Sequence, residues 1–102
     1  MTDPSEPYKA LLDLYAANKL PTEEFCRRYD ALFLADDTMF EHGLYEILND
    51  LFIDCEALTS NPRLLAERPY YHLDEKQFRK KAEQAAILLG RWRASRTADN
   101  AG

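Results

Sequence analysis

The sequence predicts an all-α domain, an antiparallel four-helix bundle with a long loop between its third and fourth helices. Three observations predict it. Apolar residues recur at spacings of three and four in four separate stretches, the period of one helix face. Each stretch opens on residues suited to a helix start. Gly43 and Gly90 are the only glycines before Gly102, too few for a chain of tight hairpins. At 102 residues, 46% hydrophobic and 12% aromatic, the chain has the size and apolar content of one compact domain. That domain is expected over residues 1–94, with 95–102 as a disordered tail.

The first helix has two possible starts. Asp3-Pro4-Ser5-Glu6 supplies a cap, a first-turn proline and an acid that reaches back, and Ser5-Glu6-Pro7 supplies a second start. Tyr8, Leu11, Leu12 and Tyr15 form its apolar stripe, which runs to Asn18 before Lys19-Leu20-Pro21 breaks it. Thr22 caps the second helix, and Glu23 and Glu24 follow where the helix dipole favours negative charge. Its inward residues are Phe25, Tyr29, Leu32 and Phe33.

Thr38 to Glu41 has capping-box spacing and opens the third helix. Phe40, Leu44, Ile47, Leu48, Leu51, Cys55 and Leu58 form its inward face. The connection from Thr59 to Leu73 is long for so small a domain. Within it, Asn61-Pro62 suggests a short helical turn over Arg63 to Glu67, pinned by Leu64 and Leu65. Arg68-Pro69-Tyr70-Tyr71 then runs extended into Leu73. Asp74 and Gln77 make a capping box for the last helix, with Leu73 stapled onto Phe78. Phe78, Ala82, Ala85, Ala86 and Leu89 face inward. Gly90 marks a stop, or Ala94 one turn later if Trp92 packs back.

The net charge of −5 is unevenly distributed. From Tyr29 to Pro62 there is no Lys or Arg, yet Asp30, Asp36, Asp37, Glu41, Glu46, Asp50, Asp54 and Glu56 all fall there. From Arg79 to Arg96 six cations face Glu83 alone. Such segregation attracts an oppositely charged partner, unless the two faces simply answer one another across the bundle. Glu46, Asp50 and Asp54 recur every four residues and so form a ladder. Like charges at that spacing cost roughly a few tenths of a kcal/mol per pair. A helix chosen only for stability would carry a Lys among them. The ladder has neither a pocket nor a paired base, so no enzyme is implied.

No apolar run approaches the ~20 residues of a membrane span, and MTDPSEPYK is acidic where a leader would be basic. A cytoplasmic protein with no membrane partner and with Cys26 and Cys55 reduced is expected. His42 and Glu46 lie four apart, as metal ligands can, but no second pair or CxxC joins them, so neither metal nor cofactor is expected. Arg91, Trp92, Arg93 and Arg96 interleave basic and aromatic residues in the manner of a nucleic-acid binder. A small helical nucleic-acid-binding protein or a regulatory adaptor is therefore the alternative function.

Three segments, LDLYAANKLPTEEFCRRYDALF, ILNDLFIDCEAL and YYHLDEKQFRKKAEQAAILL, cover most of the chain from Tyr8 to Leu89. In order, spacing and total length they resemble the colicin D immunity proteins and their relatives, the bacterial self-protective colicin-like immunity proteins. The resemblance implies a four-helix bundle that binds the nuclease domain of a cognate toxin and blocks its active site. For the colicin D type that target is an RNase that cleaves tRNA anticodon loops, met by carboxylates placed where the RNA backbone would lie. Such an enzyme needs a basic cleft, and a helix lined with Glu46, Asp50, Asp54 and Glu56 suits it. The expected toxin-binding set is those four with Asn61, Glu67, Tyr70, Tyr71 and Asp74. Asn61 stands where relatives can carry an acid, and with Arg63 and Arg68 it departs from an all-acidic loop. The expected partner is one toxin nuclease domain in a 1:1 complex, with no direct nucleic-acid binding and a monomeric free inhibitor.

Overall fold

A computed structural model describes residues 3–59, 61–68 and 72–101, with side chains as far as Ser95. Its helices are α1 (Glu6–Ala16), α2 (Thr22–Ala35), α3 (His42–Ala57), α4 (Pro62–Glu67) and α5 (Glu75–Ala101). Contacts join α1 to α2, α2 to α3, α3 to α5, and α5 back to α1. Four long helices thus close a ring around one core, and α4 is the short helical turn of the long connection. The predicted all-α bundle is the one observed. Among the described residues the only extended pairing is a single parallel bridge between Leu58 and Leu73.

The helix ends follow side-chain competition for backbone donors. Asp3 Oδ1 accepts from Ser5 N at 2.9 Å and Ser5 Oγ at 2.7 Å, so the second of the two possible starts prevails. α1 ends on Asn18, whose φ of 60° lies in the left-handed region that Asn tolerates. Asn18 N donates to Tyr15 O at 3.0 Å and Lys19 N to Leu14 O at 2.9 Å, the paired bonds of a Schellman end.

Three sequence expectations fail locally. Thr22 is the first residue of α2 rather than its cap, because its hydroxyl turns inward. Thr38 spends its N–H and hydroxyl on Asp36 Oδ1, at 3.0 and 2.5 Å, so no capping box forms and α3 opens only at His42. α5 does not stop at Gly90 or Ala94. Gly90 has no left-handed φ, and side chains beyond it hold the helix to the bundle. Trp92 packs on the core, with its Cδ1 3.9 Å from the Cβ position of Gly43. Arg93 donates to Ser5 Oγ and to Glu6 Oε2, each at 3.0 Å. By contrast, the box at the start of α5 forms as expected, with Gln77 N donating to Asp74 Oδ1 at 2.7 Å and Asp74 N to Gln77 Oε1 at 3.0 Å.

The core takes Tyr8, Leu12 and Tyr15 from α1, and Phe25, Cys26 and Tyr29 from α2. It takes Leu44, Leu48, Leu51 and Cys55 from α3, and Phe78, Ala82, Ala85 and Leu89 from α5. Ala86, expected inward, is exposed, because it lies about 100° around the helix from Ala85. A buried phenol needs a hydrogen-bond partner, and each core tyrosine has one. Tyr8 donates to Asp36 Oδ2 at 2.8 Å and Tyr29 to Leu48 O at 2.7 Å, while Tyr15 lies 2.9 Å from Thr22 Oγ1. Cys26 and Cys55 are free thiols buried between α2 and α3. A hydrogen bond to Cys26, together with burial, pushes the Cys55 thiol far up, the state of an unreactive cysteine.

Candidate interaction surface

The acid ladder of α3 is not flat. Residues four apart advance about 40° around a helix, so the row winds from Glu46 in open solvent, through exposed Asp50, to half-buried Asp54 against α5. A groove of about 220 Å³ opens there, lined by Asp50, Ile53 and Asp54 on one side and Lys81, Gln84 and Leu88 on the other. Burial raises the Asp54 carboxyl and neighbouring Asp50 adds to the rise, while Lys81 opposes both. Glu46 lies 2.8 Å from His42 Nε2, but both side chains are well exposed, so the pair contributes little.

Glu56 lies on the opposite flank of α3. Two residues past Asp54 it sits about 200° around the helix, facing α2 rather than α5. Its carboxyl meets that of Asp30, which burial first, and then hydrogen bonding with Glu56 and the Glu56 charge, push up to about 6. Asp30 Oδ1 is enclosed, and among the described residues no donor reaches it. One turn along, Phe33 of α2 packs against Phe52 and Tyr45 of α3, with ring centroids 5.1 and 6.2 Å apart. Tyr45 is 46% exposed and Leu34 73%. Asp30, Phe33 and Tyr45 were not among the expected site residues. The spacing of Asp30, Phe33 and Leu34 placed them on α2, but nothing in sequence registers α2 against α3.

The remaining expected residues serve the long connection. Its mouth is clasped by Leu73 N donating to Ala57 O and Thr59 N to Leu73 O, both at 2.9 Å. Asn61 Oδ1 caps α4 by accepting from Arg63 N at 3.0 Å. Glu67 Oε1 takes a bond from Arg63 Nε at 3.1 Å, and Asp74 caps α5. α4 buries no residue. Between it and the bundle lies a cavity of about 590 Å³, lined by Thr22, Glu23, Leu58, Leu65, Asp74 and Glu75. Tyr70 and Tyr71 lie outside the described residues. The described members of the expected set therefore fall in three places: the α3/α5 edge, the α2/α3 flank and the loop.

Three of the α5 cations, Arg79, Lys81 and Arg93, are engaged within the chain. Arg79 stands 4.7 Å over the Tyr15 ring and donates to Asn18 Oδ1 at 3.3 Å. Lys81 faces Asp54 across the groove, and Arg93 holds the N-terminus. Trp92, half-buried on the core, does not offer the free face that base stacking needs. The Arg96 side chain lies outside the described residues. No described helix is long and apolar enough to cross a membrane.

No curated protein and no solved structure matches the chain. A family model, described as bacterial self-protective colicin-like immunity, matches residues 5–89.

Proposed function

The chain belongs to the bacterial self-protective colicin-like immunity family, and we propose that it acts by laying the acidic edge of α3 into the basic cleft of a toxin nuclease domain. It is an immunity protein, an inhibitor that binds and neutralises a cognate toxin. The finer reading makes that toxin an RNase of the tRNA-cleaving, colicin D type, bound 1:1 in the cytoplasm. An enzyme that holds an RNA backbone does so with a basic cleft whose phosphate contacts dominate affinity. A helix presents its carboxylates there on a backbone already ordered, about 6 Å apart along the axis at four-residue spacing.

One observation carries this reading. The 34 residues from Tyr29 to Pro62 contain eight acids and no Lys or Arg, and Glu46 and Asp50 are exposed on the helix that this run builds. Asn61, Glu67 and Asp74 of the long connection, with Tyr70 and Tyr71 of the expected set, are the residues given the role of setting partner choice. The nucleic-acid alternative loses ground because Trp92 and Arg93 are committed to the bundle.

The test is an RNA-cleavage assay with the nuclease domain of a colicin D-type tRNA-cleaving toxin, taken as the cognate partner. One equivalent of wild-type protein stops cleavage, and Glu46→Lys with Asp50→Lys restores much of it. Unchanged protection by the double variant overturns the role given to the α3 edge.

A further inference from the structure

The geometry points to the groove between α3 and α5 as the seat of one long basic side chain from the toxin. Its apolar stem lies between Ile53 and Leu88, and its charged head meets Asp50 and Asp54. This inference rests on the proposed toxin binding and names what the toxin contributes. It brings the α3-facing side of α5 into a contact otherwise confined to the acidic edge.

The groove has aliphatic walls on both helices. Leu51 of α3 and Ala85 of α5 are buried and form its floor, where the small Ala85 side chain leaves room. Ile53 stands on one wall at 54% exposure and Leu88 on the other at 47%. Single exposed aliphatic residues are ordinary on a protein surface, but these two line one cavity from opposite helices. An apolar surface shaped in this way marks a contact.

Size and chemistry select the occupant. The groove holds about 220 Å³, below the roughly 300 Å³ at which small-molecule sites begin, so it suits a single side chain. Asp54 is half-buried, and among the described residues none gives it a hydrogen bond or an ion pair. Lys81, exposed at the groove's edge, acts on it only through space. An apolar plug would bury that carboxylate unmatched, which is costly. A small cation would leave the aliphatic walls wet. A lysine or arginine meets both, because its methylenes cover apolar surface while its head stays with charge. Charge complementarity points the same way, since a cleft that holds an RNA backbone carries such side chains, and the run from Tyr29 to Pro62 offers acids alone.

The experiment is surface binding kinetics with the catalytically inactivated nuclease domain of a colicin D-type tRNA-cleaving toxin, taken as the cognate partner. Two variants leave every charge in place: Ile53→Ala with Leu88→Ala, and Gln84→Trp, which fills the groove from its exposed rim. Each should speed dissociation about tenfold or more. Association should hold within about twofold, because steering depends on charge. The melting temperature of the double variant should barely move, as both side chains are about half exposed. Asp54→Asn should speed dissociation as well, and no effect there makes the occupant an apolar plug and overturns the basic side chain. Unchanged dissociation in a double variant that melts like wild type overturns the groove and leaves the immunity reading intact. If that variant melts early, an unchanged rate in Gln84→Trp does so. Sedimentation of the free protein completes the test, since a dimer that the double variant disperses gives the groove to a second copy and overturns the inference. Absence of any wild-type complex overturns the tRNA-cleaving-toxin reading, and the groove's occupant with it.

Discussion

Thr22 Oγ1 donates to Glu75 Oε1 at 2.7 Å and lies 2.9 Å from the Tyr15 hydroxyl. A hydroxyl has one proton, so Tyr15 is the donor to Thr22, and one chain of hydrogen bonds joins α1, α2 and the first turn of α5. Thr22→Val keeps the shape, removes the relay and leaves the Tyr15 phenol buried without its acceptor. A loss of about 1–3 kcal/mol in urea unfolding is expected, and Thr22→Ser should recover most of it.

Asp30 gives the protein a pH dependence opposite in sign to the usual acid effect. Its folded pKa, about 6, lies above the ordinary aspartate value because of burial and Glu56. The folded state therefore holds the proton more tightly than the unfolded chain does. The resulting stabilisation is fully present below the unfolded value and is lost as pH rises through about 6. Asp36 behaves in the ordinary way. Desolvation works against it, but hydrogen bonds from Thr38 and Tyr8 lower it overall, so its contribution is lost as pH falls. The informative quantity is thus the difference in melting temperature between Asp30→Asn and wild type. That difference should grow in favour of the variant from pH 4 to pH 7, and a flat difference would remove the carboxyl pair from the account.

These two relationships mark how far the sequence could be read. The four long helices, the stripes through Tyr8, Phe25, Leu48 and Phe78, the α5 capping box and the Asn61 cap were legible because each is fixed by residues within a turn of one another. The Thr38 box was misread because two side chains competed for one donor and Asp36 won. The Gly90 stop was misread because distant partners, Gly43 for Trp92 and Glu6 for Arg93, carry the helix onward. The candidate surface was least legible. Glu46, Asp50, Asp54 and Glu56 read as one acidic helix face, yet the 3.6-residue turn sends Asp54 to α5 and Glu56 to α2. Which neighbour each meets depends on helix registry, which no local pattern encodes.

α4 should open independently of the bundle. It buries no residue, and the Asn61 side chain satisfies one of its first-turn donors. Asn61→Ala should weaken the cap by about 1 kcal/mol and speed amide exchange over residues 63–67. The global unfolding midpoint should barely move, since the Leu58–Leu73 clasp closes the connection without α4.

Arg93 joins the end of the bundle to the N-terminal residues through Glu6, Ser5 and Asp3. Arg93→Ala should cost roughly 1 kcal/mol, given its partial exposure, and should leave protection against the toxin domain unchanged. A loss of protection with stability intact would place a contact surface on the α1-facing side of α5.

The central claim, that the acidic edge of α3 draws this immunity protein into a basic nuclease cleft, is tested most directly by the association rate as a function of salt. The measurement compares wild type with Glu46→Lys, Asp50→Lys against the inactivated nuclease domain by stopped flow. Wild-type association should be fast at low ionic strength and fall steeply as salt rises, as electrostatic steering requires. The charge-reversed protein should associate at least about tenfold more slowly at low salt, with a weak or inverted salt dependence. Equal rates for the two proteins at low salt would contradict the account.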